Sequence, residues 1–314
     1  MQVRKWDGKP ISEPGWYSGV PIERYHSAGM CDAPAVSSSD LRTCWRLSPA
    51  HAHLYWAENP KREPKPPSRA MLLGAAAHWL LLGEDDFKRR YVAQPETYRD
   101  KMTAQEKPWH NGAAICKAWN AAQAKSKRLV VTVPELKTIV EMAKSLALEP
   151  LVDAGLLRGH IECSGFIRDR ETGLWLKIRP DVVPPTGADF VDVKTTSEVT
   201  TPALQSTIRS YGYHQQGALI WEVCEQLELP FTMFILMFIE TAAPFCARAV
   251  PLTEDDLSRG RLMNRAMMRK FANCIINDHW PGPGEGELRA LPLGHDERAR
   301  IDQRLQFEGV LSGG

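Results

Sequence analysis

Asp192 and Lys194 stand two apart in the segment Asp192-Val193-Lys194-Thr195-Thr196. On a β-strand, side chains two apart leave the same face, so this pair points into one space while Val191 and Val193 point the other way. Eleven positions before Asp192, Asp181 closes an apolar run from Leu174 to Ile178. The turn Pro184-Pro185-Thr186-Gly187 lets the chain double back beside itself. Two carboxylates and one ammonium are thereby brought together. Paired carboxylates are hard oxygen ligands for Mg²⁺, which binds phosphate oxygens and acidifies bound water, and a neighbouring Lys can position that water. The chemistry implied is phosphodiester hydrolysis. A surface hairpin with a salt bridge would read the same from these residues alone.

The elements that must position this group are legible in outline. His160–Ile167, Leu174–Asp181 and Asp189–Lys194 read as three strands of an antiparallel meander, with Glu162 placed to lie beside Asp181 as a further carboxylate. A helix over Ala70–Leu82 carries Met71, Gly74, Ala75, His78 and Leu82 at three- and four-residue steps. His78 therefore shares a face with small residues that allow close approach. A lone His on such a face also suits a satisfied core position. After the third strand, Thr201-Pro202 opens a helical region whose later part, Tyr211–Leu227, projects Gln216 beside Tyr213, Gly217, Ile220 and Cys224.

The remaining elements follow from caps and periodicity. Ser37-Ser38-Ser39-Asp40 and Ser48-Pro49 are helix starts, and helices are expected near Gly112–Ala124 and Pro134–Leu148. Phe231–Ile239 and Phe245–Val250 read as strands finishing the sheet, and Thr253 caps a last helix. Residues 1–36, rich in Gly, Pro and aromatics, read as an irregular N-terminal arm; 37–300 form a single domain; 301–314 form a polar tail. Lys61 to Arg69 is a basic, proline-rich linker, and Arg42, Lys61, Arg62 and Arg69 are candidates for phosphate contacts.

Composition bounds the function classes. The 314 residues are 43% hydrophobic and 25% charged, enough for one large core. No apolar run reaches the roughly 18 residues of a membrane span, and the N-terminus lacks a signal-like apolar core, so a soluble cytoplasmic protein with no membrane partner is expected. Seven cysteines without a CxxC pair suit reduced buried thiols. A net charge of +1 excludes a globally basic nucleic-acid binder and directs any such contact to local patches or metal.

Taken in order, several motifs resemble the RecE-type exonucleases, the exonuclease VIII catalytic domains of the PD-(D/E)XK superfamily, near the RecB nuclease domain and the phage-type recombination exonucleases. They are Gly74-Ala75-Ala76-Ala77-His78, Glu162-Cys163-Ser164, Arg179-Pro180-Asp181, Asp192-Val193-Lys194-Thr195-Thr196 and Tyr211-Gly212-Tyr213-His214-Gln215-Gln216, with Arg24-Tyr25-His26, Ser48-Pro49-Ala50 and Asp278-His279-Trp280-Pro281 as flanking matches.

The resemblance implies an α/β PD-(D/E)XK fold, a central mixed β-sheet with an antiparallel meander flanked by helices. It implies that His78, Asp181, Asp192 and the Val193 carbonyl bind Mg²⁺ or Mn²⁺, with Glu162 holding a second ion, so one or two ions per active site. Lys194 would activate the water and Gln216 would place it, although Gln215 leaves the choice between adjacent glutamines open. Arg179 and Tyr213, inside the same motifs, are the expected nucleic-acid contacts. The implied activity is processive 5′ to 3′ digestion of linear double-stranded DNA by a ring-shaped homo-oligomer, leaving 3′ overhangs for a single-strand-annealing recombinase. The alternatives are a structure-specific or single-strand nuclease of the superfamily and a non-catalytic DNA-end-binding scaffold.

Overall fold

The computed structural model describes residues 2–62, 69–82, 84–161, 163–185, 189–284, 286, 290–308 and 310. The chain divides into two units, Met1–Trp280 and Pro281–Gly314.

The first unit opens with β1 (Val3–Lys5), β2 (Gly15–Ser18), a single-turn helix α1 (Ile22–Tyr25) and β3 (Ala35–Ser37). α2 (Ser38–Arg46) starts where expected: Ser37 and Asp40 close a capping box, with the Ser37 N–H donating to Asp40 Oδ2 at 2.8 Å. Ser48 caps α3 (Pro49–Tyr55) by accepting from the His51 N–H, with Pro49 in the first turn. Then follow α4 (Arg69–Leu82), α5 (Glu84–Arg90), β4 (Tyr91–Ala93), β5 (Thr97–Arg99), β6 (Glu106–Pro108), α6 (Ala114–Lys125) and β7 (Leu129–Val131). α7 (Val133–Ala147), capped by Thr132 and Glu135, leads to α8 (Pro150–Asp153). The segment from β4 to β7, expected to hold one helix, also contains two small two-stranded sheets.

The strands that carry the site come next: β8 (His160–Ile161), β9 (Ser164–Arg168), β10 (Trp175–Ile178), β11 (Val182–Val183) and β12 (Asp189–Thr196). After them come α9 (Thr201–Tyr211), α10 (Tyr213–Gln226), β13 (Met233–Glu240), β14 (Ala247–Pro251) and α11 (Glu254–Asn277). Gly212, at φ 64°, separates α9 from α10 in the left-handed conformation that glycine adopts without strain.

These strands build two five-stranded sheets, β1-β2-β9-β10-β3 and β14-β13-β12-β11-β8. Both are mixed. In the second, β12 runs parallel to β13 over eight paired positions from Asp189↔Met233 to Thr196↔Glu240, and its other pairings are antiparallel. The expected meander is therefore antiparallel but divided. The predicted first strand breaks into β8 and β9, which join different sheets, and the second ends at Ile178, with β11, just beyond its expected end at Asp181, joining the other sheet. Proline lacks the N–H a ladder needs, which accounts for a break at Pro180.

Residues read as an irregular arm contribute two strands of the first sheet and most of a third, β3, and Tyr17, Tyr25 and Met30 bury with Phe166 and Trp175 in a core of their own. The largest core lies between the strands and α10 and α11, through Phe190, Phe234, Phe238, Leu219 and Phe271. Gly217 is required there, because a Cβ would stand 2.4 Å from the Phe234 ring. A second core under the other face joins Val191, Ile235 and Met237 to Ala76, Ala77, Ile139 and Leu146 of α4 and α7. All seven cysteines are free thiols; six are buried and Cys246 is exposed. Among the described residues no helix is long and apolar enough to cross a membrane.

In the second unit the described residues include α12 (His295–Phe307), where the sequence suggested only a polar tail beyond position 300. No residue of α12 is buried, and the apolar stripe by which helices are read from sequence is weak in it.

Candidate active site

β11 and β12 pair antiparallel with Val182 opposite Val191. Asp181 immediately precedes β11 and Asp192 immediately follows Val191, so the two carboxylates lie at the same end of this pairing. The alternation read from the sequence is what the strands do: Val191 and Val193 pack toward α4 and α7, and Asp192 leaves the opposite face toward α10. Asp192 is 3% exposed. Its Oδ1 accepts from Gln216 Nε2 at 2.9 Å, and its Oδ2 is ion-paired with Lys194 Nζ.

Asp181 sits at the end of β10's extension, where the two faces meet. Its Oδ2 accepts the Val193 N–H at 2.7 Å, and its Oδ1 lies 3.9 Å from His78 Nδ1. Burial raises the pKa of the Asp181 carboxyl and the Asp192 carboxylate adds to the rise, while His78 and Lys194 oppose it. Burial alone would lower the Lys194 ammonium, but Asp192, Tyr213 and Asp181 outweigh it and hold Lys194 above its ordinary value. Its Nζ lies 5.0 Å from the centre of the Tyr213 ring.

His78 reaches this point because α4 packs tightly on β12. A Cβ at Gly74 would stand 3.0 Å from Thr195 Cγ2 and 3.2 Å from Thr195 Oγ1. The small residue one turn before His78 is what lets the helix approach, as the spacing suggested. Arg69 at the start of α4 pairs with Glu135 of α7 and donates to the Val130 carbonyl, bracing the helix.

The two adjacent glutamines separate cleanly. Gln215 is buried, donates to Asn264 Oδ1 at 3.2 Å and accepts from Asn264 Nδ2 at 2.9 Å, locking α10 to α11. Gln216 faces Asp192. Tyr213 is placed beneath Lys194 and is only 8% exposed, not at the surface. Arg179 donates to the Val20 carbonyl at 2.8 Å and to Ser164 Oγ at 3.3 Å, tying the N-terminal strands to the site. Glu162 lies outside the described residues.

A cleft of about 750 Å³, counted to its open mouth, extends from Asp181 and Gln216 past Arg179 and Arg42 to Lys177. Lys177 was not singled out in the sequence because it lies inside an apolar strand. It is 2% exposed, with Nζ donating to the Tyr25 carbonyl at 2.8 Å. Burial lowers its pKa and the Asp40 carboxylate partly restores it. Its only signal was a lysine breaking the run Leu174–Ile178.

His78 Nε2 is buried with no hydrogen-bond partner. An orphaned imidazole nitrogen beside two opposed carboxylates is a donor set suited in chemistry to a hard divalent cation. Among the described residues no three His, Cys, Asp or Glu side chains converge closely enough to hold an ion.

Residues 37–289 match the family model described as a PDDEXK-like domain of unknown function (DUF3799). A solved structure from Eubacterium rectale, described as that of a "Putative exonuclease", is similar over 84% of this chain and 92% of its own, with a TM-score of 0.54 and 14% identity. The likeness is one of fold. No curated protein matches the chain.

Proposed function

Because the chain belongs to the PDDEXK-like domain family (DUF3799), we propose that it is a metal-dependent nuclease, digesting linear double-stranded DNA from 5′ to 3′ and leaving 3′ overhangs. The observation that carries this reading is that Asp181, immediately before β11 and bonded to the Val193 N–H, neighbours Asp192 of β12, which is ion-paired with Lys194. A structural salt bridge needs one carboxylate. Here a second is held against it, at a cost in ionisation that stability alone does not reward.

His78, Asp181, Asp192 and the Val193 carbonyl would hold Mg²⁺ or Mn²⁺, which supplies neutralisation of phosphate oxygens and acidification of a bound water. The chain's own contributions are distinct. Gln216 fixes the orientation of Asp192, the Val193 N–H fixes Asp181, and the Lys194 ammonium stabilises negative charge on the attacking oxygen. Arg42, Arg179 and Lys177 make the adjoining cleft positive, which favours an anionic strand. The description of the Eubacterium rectale protein as an exonuclease by assignment supports attack from ends. A ring-shaped homo-oligomer and a single-strand-annealing recombinase partner belong to the same proposal, since processive digestion requires that release be slower than each hydrolytic step.

The test is digestion of a linear duplex labelled at its 5′ or 3′ ends beside a closed circle, with Mg²⁺ or chelator, by wild type and Lys194→Ala. Release of 5′ label first, an intact circle, and loss of activity in chelator and in the variant support the reading. A cut circle overturns the exonuclease assignment, and no cutting with either metal overturns the enzyme.

A further inference from the structure

A second concavity adjoins the cleft. It is a groove of about 1090 Å³, counted to its open side, between α2 and the turn from α9 into α10. Ser39 and Arg42 line both it and the active-site cleft, so the two adjoin across these residues. Among the described residues its lining holds Arg42, Arg46 and Arg209 and no carboxylate.

Two aromatic rings of this groove are solvent-facing. Trp45 is 51% exposed and Tyr211 is 56% exposed, whereas Trp16, Trp56 and Trp175 are buried. Tyr211 stacks on Tyr213 with centroids 5.6 Å apart and planes at 13°, and Tyr213 in turn lies under Lys194. A ladder of two rings therefore runs from the catalytic ammonium out to solvent. Arg42 is braced alongside, donating to the Tyr211 carbonyl at 2.8 Å. Arg46 reaches the Ser210 carbonyl at 3.5 Å, and neither Arg46 nor Arg209 meets a carboxylate among the described residues.

We propose that this groove holds a single-stranded segment of DNA leading into or out of the active-site cleft, with bases stacked on Tyr211 and Trp45 and phosphates on Arg46 and Arg209. Exposed rings alternating with uncompensated arginines form a platform for unpaired bases, because every base presents a π-face and every link carries a charge. A B-form duplex keeps its bases stacked on each other and has no face to offer these rings. The inference rests on the nuclease reading for its choice of ligand.

The test is binding of the full chain to fluorescein-labelled oligothymidylate and to a blunt duplex in chelator, by anisotropy, so that no turnover is involved. Trp45→Ala and Tyr211→Ala each weaken single-strand binding roughly tenfold and leave duplex binding within about twofold. Trp45→Phe retains most of the affinity. Arg46→Ala with Arg209→Ala lowers the salt slope by roughly 0.7 per arginine. Thermal melting of each variant establishes that it is folded. Single-strand binding indifferent to both ring substitutions in folded protein, or absent from wild type, overturns the groove assignment. Trp45-dependent binding by a chain that cleaves nothing with Mg²⁺ or Mn²⁺ retains the groove and overturns the nuclease. Cleavage with ring-indifferent binding does the reverse.

Discussion

Gln216 donates to Asp192 across 2.9 Å from the helix that follows the strand, and so fixes one oxygen of a carboxylate whose other oxygen is held by Lys194. Gln216→Ala is expected to lower kcat about 10- to 100-fold with little change in KM, the usual scale for a residue that orients a ligand. Gln216→Glu would set a second carboxylate against the first and move the acidic limb of the pH–rate profile upward. Steady-state digestion of a labelled duplex across pH checks both.

Lys194→Ala removes the group proposed to stabilise the attacking oxygen and also leaves Asp192 without its cation partner. Activity falls by about 10²- to 10⁴-fold, and the fold loses on the order of 3 kcal/mol. Adding Asp192→Asn recovers the stability and none of the activity. Urea denaturation of the single and double variants separates the two losses.

Gly74→Ala forces a methyl group against Thr195 at 3.0 Å. Either Thr195 or the helix must give by a few tenths of an ångström; where the helix gives, His78 moves from Asp181, so activity is expected to drop while melting changes little. Gly74→Ala with Thr195→Ala makes room and restores activity. A double variant no more active than Gly74→Ala would show that the helix spacing does not set the site.

Asp181 predicts a pH dependence with a definite sign. Its carboxyl pKa is raised in the fold, mainly by burial, so the folded chain binds this proton more tightly than the unfolded chain. That contribution to stability is fully present below the ordinary carboxylate value and is lost as pH rises through the raised one. In chelator, Asp181→Asn is therefore expected to melt higher than wild type at neutral pH, by about 2 °C or more. The gain should shrink on acidification and vanish once wild type is protonated. Melting curves at a series of pH values check this, and the variant should be inactive throughout.

The local signals in the chain were good guides where one residue type decides the outcome. The alternation around Asp192, the Ser37 and Ser48 caps, and the Gly74 to His78 spacing all correspond to what the fold does. What depends on long-range pairing was not legible. Nothing near Pro180 reveals that β10 and β11 belong to different sheets, because that follows from partners at Ala35 and Ile161, far away in sequence. Lys177 interrupts an apolar strand, and its burial follows from Tyr25, whose carbonyl it meets far away in sequence. Arg69, one of the candidate phosphate contacts, is paired with Glu135, and α12 has only a weak apolar periodicity through Ile301 and Leu305.

The N–H of Val193 finds its partner in a side chain, where continuation of β11 would have offered a backbone carbonyl. That one amide is therefore a natural spectroscopic probe of the active site. Its proton chemical shift and its exchange with deuterium report whether the Asp181 carboxylate is charged, protonated or turned toward another ligand, without any label being introduced. Titrating a divalent cation while following the Val193 resonance would read occupancy of the site in a protein that has no substrate present.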